Sequence, residues 1–200
     1  MTFVRMSLSA IVAILALGAF VSISSAARLS SSSQTFRATW VSRDYAGGFG
    51  TVRCPLTLEG SFHSRTIAKV SGALIGSITR AIHNSCGVGR ATVLPATLPW
   101  HVRYFSFVGS LPTITNLATT ITGYAVEVCE PTFGICCLLI STAGQPVSLV
   151  FSRETASGEL NSATIGGRIA CSGGFEIGAS GTSNSVTVLG SASRITLTLI

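Results

Sequence analysis

The stretch "TVRCPLTLEGSF", residues 51–62, indicates the fold class because its apolar and polar side chains alternate. Successive side chains of a β-strand point to opposite faces of a sheet, so alternation predicts a strand with one buried face. The inward set is Val52, Cys54, Leu56 and Leu58, and the outward set is Arg53, Thr57 and Glu59. This stretch therefore predicts a strand that packs one face on a core.

The same texture continues from residue 35 to residue 200. Short runs of Val, Ile, Thr and Phe are separated by Gly, Pro, Asn and Ser, and only 10% of the chain is charged. This pattern predicts a single all-β domain over residues 35–200, either an antiparallel two-layer sandwich or a closed barrel. One long strand is predicted over residues 114–128, and one short helical turn within residues 65–78. Residues 27–34 are predicted to be a loosely attached Ser-rich leader.

The first 26 residues have the organisation of a secretory signal peptide. Arg5 precedes the apolar run "AIVAILALGAFV", and small residues follow up to Ala26. A charged start, a short apolar run and a small-residue cleavage site are typical of such signals, and the run is too short to span a bilayer as a helix. We therefore predict cleavage near Ala26 and secretion, with no stable membrane span in the mature chain. An uncleaved anchor is the alternative.

Six cysteines in an oxidising compartment predict a disulfide framework. Cys136 and Cys137 are consecutive on a predicted strand, so they point to opposite faces and need different partners. The turn "EPTFG" would bring Cys129 beside Cys136, and Cys137 would then point inward. The predicted pairs are Cys129 with Cys136, Cys137 with Cys171, and Cys54 with Cys86. Histidines at metal-ligand spacing are lacking, so no metal or cofactor is predicted.

The positive charge of the chain is scattered. Lysine and arginine number 13 against 7 acidic residues, and removal of the signal leaves 12 against 7, a net charge of +5. A nucleic-acid surface usually has a clustered basic face, so no nucleic-acid partner is predicted. The isolated arginines, Arg43 among them, are interpreted as solvated surface residues.

No catalytic constellation is recognisable. The fragments "AIHNSC", residues 81–86, and "CSGG", residues 171–174, resemble parts of chymotrypsin-like motifs, but the only aspartate, Asp44, precedes His83. The alternative is an extracellular hydrolase with a glycosidase-like carboxylate pair. Its candidates are Glu59, Glu127, Glu130, Glu154, Glu159 and Glu176. Of these, Glu59, Glu127 and Glu176 fall on predicted outward faces, where solvated charge is the expected role. We therefore predict a non-enzymatic chain.

The aromatic run "LPWHVRYFSF", residues 98–107, is the one candidate ligand site. Trp100, His101, Arg103 and Tyr104 would bind carbohydrate or another cell-surface polymer if their side chains lay on one exposed face. Alternation within the run favours packing of Trp100 and Tyr104 in the core instead. A second alternative for the whole chain is an outer-membrane β-barrel, which six cysteines and the terminal Ile disfavour.

The runs "GGFGTVRCPLTLEGSFHSRTIAKVSG", "LPWHVRY" and "VTVLGSASRITLTLI" together resemble a group of secreted, β-rich proteins of soil actinobacteria. The likeness covers most of residues 35–200. The group has no assigned activity, so the resemblance implies no functional residues. The expected protein is a secreted, disulfide-bonded, non-catalytic β-domain that acts as a surface, structural or binding module.

Overall fold

The computed structural model describes residues 28–48, 50–110, 113–153, 159–171, 176–183 and 185–200. The predicted signal peptide lies outside the described residues. The described chain is all-β and antiparallel, with one 3-10 turn at Pro95–Thr97, which confirms the predicted fold class. Among these residues, no helix is long and apolar enough to cross a membrane.

The strands follow one another with short connections. In chain order they are β1 (Arg28–Ser31), β2 (Thr35–Gly47), β3 (Gly50–Phe62), β4 (Thr66–Ala68), β5 (Leu74–His83), β6 (Arg90–Val93), β7 (Trp100–Ser110), β8 (Thr113–Thr122), β9 (Ala125–Glu130), β10 (Ile135–Ile140), β11 (Val147–Ser152), β12 (Glu159–Leu160), β13 (Ser162–Ala170), β14 (Glu176–Thr182), β15 (Ser185–Thr187) and β16 (Ile195–Leu199).

Eight strands form a ring of antiparallel pairs. Its order is β11, β13, β14, β2, β3, β5, β7 and β8, and pairing of β8 with β11 closes it. The closed barrel is thus the realised alternative of the two predicted architectures. An eight-stranded barrel is just wide enough for side chains to fill its interior. Strands β1, β4, β12 and β16 extend the sheet beyond β8, and β15 pairs with β2.

Large apolar side chains fill the ring. Trp40, Trp100, Phe36 and Phe151 are fully buried. The parity predicted for β3 is confirmed, because Val52, Cys54, Leu56 and Leu58 are buried and Arg53 is exposed. A Cβ on Gly60 would clash with the Ser77 carbonyl oxygen of the paired strand β5 and would lie 2.7 Å from the Phe36 ring, so this position needs glycine both for strand pairing and for core packing.

A second sheet of three strands, in the order β10, β9 and β6, packs beside the ring. The predicted strand over residues 114–128 is in fact two strands. The chain turns at Gly123, whose φ of +81° favours glycine, and β9 begins at Ala125 in the small sheet. Residues 65–78 contain β4, a turn and the start of β5 where a helical turn was expected.

Three disulfides join the pairs that the sequence predicted: Cys54 with Cys86, Cys129 with Cys136, and Cys137 with Cys171. One closes the β9–β10 hairpin. The Cys137–Cys171 disulfide ties β10 to the end of β13, and the Cys54–Cys86 disulfide ties β3 to the loop before β6. Two of the three therefore hold the small sheet directly, and a framework of three disulfides is consistent with an extracellular protein.

The Ser-rich leader is not loosely attached over its described part. Residues 28–31 form β1, which pairs with β16 and β4. Leu29 is fully buried, and Ser31 donates to the Ser33 carbonyl. The expectation was wrong because a single apolar side chain among serines is enough to anchor a strand whose neighbours offer two open edges.

Candidate functional site

The four residues of the predicted ligand site do not share a surface. Trp100 and Tyr104 point into the ring, with exposures of 0% and 5%. The Trp100 indole donates to Thr97 Oγ1 at 2.9 Å and packs on Tyr124 at 4.6 Å between ring centroids. His101 and Arg103 lie on the outer face of β7. The packing alternative therefore describes Trp100 and Tyr104, and the structure has no exposed aromatic row at these positions.

Arg43, which the sequence analysis predicted to lie at the surface, is buried in the structure. The pairing of β2 with β3 shifts register between Trp40 and Arg43, so Val41 and Ser42 both face solvent and Arg43 turns inward. Such a bulge re-aims the side chains that follow it. Arg43 is fully buried, which corrects its interpretation as a solvated surface residue.

Two tyrosine rings flank the buried guanidinium. Its central carbon lies 5.1 Å from the centroid of Tyr45 and 5.5 Å from that of Tyr124, within cation–π range. Within the described chain, no side-chain nitrogen of Arg43 has a hydrogen-bond partner. A buried cation compensated only by aromatic faces is costly, since most buried charges are paired and hydrogen-bonded.

His83 connects this buried cluster to the surface. Its Nδ1 lies 3.0 Å from the Pro55 carbonyl oxygen, which can only accept, so Nδ1 carries the hydrogen. Nε2 then accepts from the Tyr45 hydroxyl at 2.7 Å, and Tyr45 accepts from the Tyr124 hydroxyl at 2.7 Å. The hydroxyl hydrogens thus all point towards His83. Burial, together with the charge of Arg43, lowers the pKa of His83 from 6.5 to about 4, so the imidazole is neutral at pH 7.

His83 also lines an open groove between the end of β5 and β6, with a volume of about 590 Å³. The groove is lined by residues 81–86, 89–93 and 95. A smaller groove of about 370 Å³ adjoins it, because Gly89 and Arg90 line both. The two grooves together form the candidate functional site, and we call the larger one the β5–β6 groove.

Disulfides and one glycine shape the walls of the site. Cys86 lines the β5–β6 groove, and Cys129 and Cys136 line the smaller one. Gly89 has a φ of +77°, and a Cβ there would lie 2.6 Å from the Cys129 carbonyl oxygen. The chain therefore passes close against β9 at the point where the two grooves meet.

Among the candidate carboxylates that the structure describes, Glu59 lies on β3 of the ring, whereas Glu127 and Glu130 lie on β9 of the small sheet. Glu59 faces outward as predicted, but it is 7% exposed because Arg37 and Arg80 cover it at 2.7 and 3.0 Å. Glu127, in the small sheet, pairs with Arg90 at 3.1 Å. The side chain of Glu176 lies outside the described part. Among the described residues, no group of three or more His, Cys, Asp or Glu side chains has an arrangement that would hold a metal ion.

Sequence reasoning missed Arg43, although one signal was present. Trp40 and Tyr45 are aromatic residues five positions apart on one strand, and an unbroken strand would place them on opposite faces. Two buried aromatics at odd spacing therefore indicate a bulge between them.

Comparisons with protein-family models, curated proteins and solved structures found no match.

Proposed function

We propose that this chain is an extracellular, non-catalytic binding module that holds its ligand in the β5–β6 groove. The observation that carries the proposal is the placement of the disulfides: two fix β10 of the small sheet, to β9 and to the end of β13, and the third ties the loop before β6, which lines the groove at Cys86, to β3. Covalently fixed walls lose little conformational entropy on binding, and this pre-organisation favours affinity. The three disulfides support the extracellular location, because disulfides persist in oxidising compartments.

The chemistry of the groove supports binding over catalysis. Both ring nitrogens of His83 are engaged in hydrogen bonds, and its pKa of about 4 makes it a weak base. Glu59 and Glu127 are each held by arginine. A glycosidase needs one carboxyl group to donate a proton and the other to attack or to activate water. Carboxylates held in ion pairs on different sheets do not meet that need.

The test fills the groove without touching the core. Thr92 is exposed and lines the β5–β6 groove, so Thr92→Trp would occupy it. Thr164→Trp, on the exposed face of β13, is the matched control. The purified, oxidised protein is screened against a phage-displayed random peptide library and against cellulose, chitin, xylan and pectin. We expect saturable binding that weakens about tenfold or more in Thr92→Trp and is unchanged in Thr164→Trp. Absence of any binder, or binding that Thr92→Trp leaves intact, overturns the proposal.

A further inference from the structure

One side of β6 has no partner strand in the described part of the chain. Residue Leu94, just after β6, donates its backbone N–H to Ala125 at 3.1 Å. Bonded and non-bonded pairs alternate along an antiparallel ladder, so Thr92 and Arg90 also bond to β9. The N–H and C=O groups of Ala91 and Val93 consequently point the other way, into the groove.

The opposite wall of the β5–β6 groove, formed by the end of β5, also has a strand edge without a partner among the described strands. Strand β7 pairs with β5 only from Leu74 to Ile78, so the last residues of β5 have a partner on the β3 side alone among the described strands. The Asn84 N–H bonds to the Pro55 carbonyl, and the same alternation turns the backbone groups of Ala81 and His83 away from β3. Ala81 and His83 line the groove, as do Ala91 and Val93.

Two unpaired strand edges therefore face one cleft. An unpaired edge is a ready template for an added strand, and addition of an extended peptide to such an edge is a known mode of recognition. The four residues of β6 span roughly 13 Å, which is the length of a four-residue extended segment. A groove of about 590 Å³ is also within the usual size of ligand sites.

The charge of the groove selects the kind of peptide. Arg90 lines the β5–β6 groove with its side chain 65% exposed and is paired with Glu127 at 3.1 Å, while the residues that line this groove include no acidic side chain. Behind His83 lies the fully buried charge of Arg43, which has no acidic hydrogen-bond partner in the described chain. A cleft with one sign of charge and low-dielectric walls focuses its field on a ligand of the opposite sign.

We propose that the β5–β6 groove binds an extended acidic peptide segment, which adds as a strand to the free edge of β6 by bonding to Ala91 and Val93. This inference rests on the proposed binding function and specifies its ligand. Backbone bonds supply sequence-tolerant affinity, and the buried charge of Arg43 together with Arg90 supplies the preference for acidic side chains.

The test uses capped octapeptides in fluorescence anisotropy at low salt. The probe alternates Thr and Glu, and its counterparts alternate Thr and Lys or carry N-methyl groups on every second residue. We expect the acidic peptide to bind about tenfold more tightly than the basic one, because charge complementarity selects the partner. N-methylation is expected to weaken binding about tenfold or more, since it removes backbone donors without changing the side chains.

On the protein side, Val93→Pro removes the N–H on the free edge while leaving the β9 ladder intact, and proline is tolerated at such an edge. Val93→Ala, which keeps the N–H, is the matched control. Val93→Pro is expected to lose binding about tenfold and Val93→Ala to keep it. Should Val93→Pro misfold, the N-methylated peptides test the same bonds on the unaltered protein.

The outcomes separate the two proposals. Equal binding of the acidic and basic peptides, or no effect of N-methylation, overturns the peptide inference. Binding of a polysaccharide that is sensitive to Thr92→Trp, with no peptide bound, overturns the inference and leaves the binding function standing. Absence of every binder overturns both.

Discussion

Protonation of His83 should control the acid stability of this protein. The imidazole is held neutral between the Tyr45 hydroxyl and the Pro55 carbonyl, next to the buried Arg43. Protonation would place a hydrogen on Nε2, where Tyr45 already donates, and would add a second buried cation to the cluster. The perturbation is a fall in pH, and the comparison is with His83→Gln, which does not titrate.

The magnitude follows from the pKa of His83 in the folded and unfolded chains. Burial lowers this pKa from 6.5 to about 4. Between these values the unfolded chain binds more protons than the folded one, so stability is complete above pH 6.5 and is lost as the pH falls towards 4. At about 1.36 kcal/mol for each pH unit, the loss is about 3 kcal/mol. Below pH 4, His83 contributes no further change.

The assay is urea unfolding of the oxidised protein at intervals between pH 7 and pH 3.5, followed by tryptophan fluorescence. The stability difference between the unaltered protein and His83→Gln should shrink by about 3 kcal/mol between pH 7 and pH 4. Carboxylates titrate in both proteins, so their effect cancels in the difference. A difference that stays constant over this range, or an NMR titration of His83 near pH 6.5, would refute the reasoning.

Three other predictions concern the core and the N-terminus. Arg43→Met should leave stability unchanged or raise it by roughly 1–4 kcal/mol in urea unfolding, because it removes a buried cation without a hydrogen-bond partner in the described chain; a loss above about 2 kcal/mol would contradict this. Gly60→Ala should cost roughly 1–3 kcal/mol through its clash with Phe36, whereas Gly48→Ala, with open space around it, should cost under about 0.5 kcal/mol. N-terminal sequencing of protein recovered from culture medium should start within a few residues of Ala27, and an intact Met1 would contradict cleavage near Ala26.

The alternation of buried and exposed side chains along each strand, here called strand parity, was the feature of the fold that the sequence predicted best. It predicted the buried set of β3, the inward direction of Cys137 and the outward direction of Glu59, because side-chain direction in a strand depends only on position along it. Parity also gave adjacent Cys136 and Cys137 different partners, and the turn at residues 130–134 paired Cys129 with Cys136. Parity alone did not choose Cys171 over Cys54 for Cys137, because both were predicted to face inward. Parity failed at Arg43, where a bulge inserts one residue and reverses the faces.

The candidate site was harder to predict from the sequence than the strand faces were. Its walls come from β5 and β6, and their open edges depend on where β7 stops pairing and where the chain leaves the ring at Gly123. Neither event has a strong local signal, because both depend on which strands meet across the barrel. The "AIHNSC" fragment contains His83, but the hydrogen bonds of His83 to Tyr45 and Pro55 join it to segments 38 and 28 residues away.

By itself, the sequence determined the all-β class, the inward and outward faces of regular strands and the pairing of Cys129 with Cys136, since these follow from local periodicity and from the geometry of a short hairpin. Only the tertiary structure decided that the strands close into a ring, that Arg43 is buried between two tyrosines and that two strand edges remain open over one groove. These features arise from long-range pairing, and the free energy of such pairing depends on all the strands together.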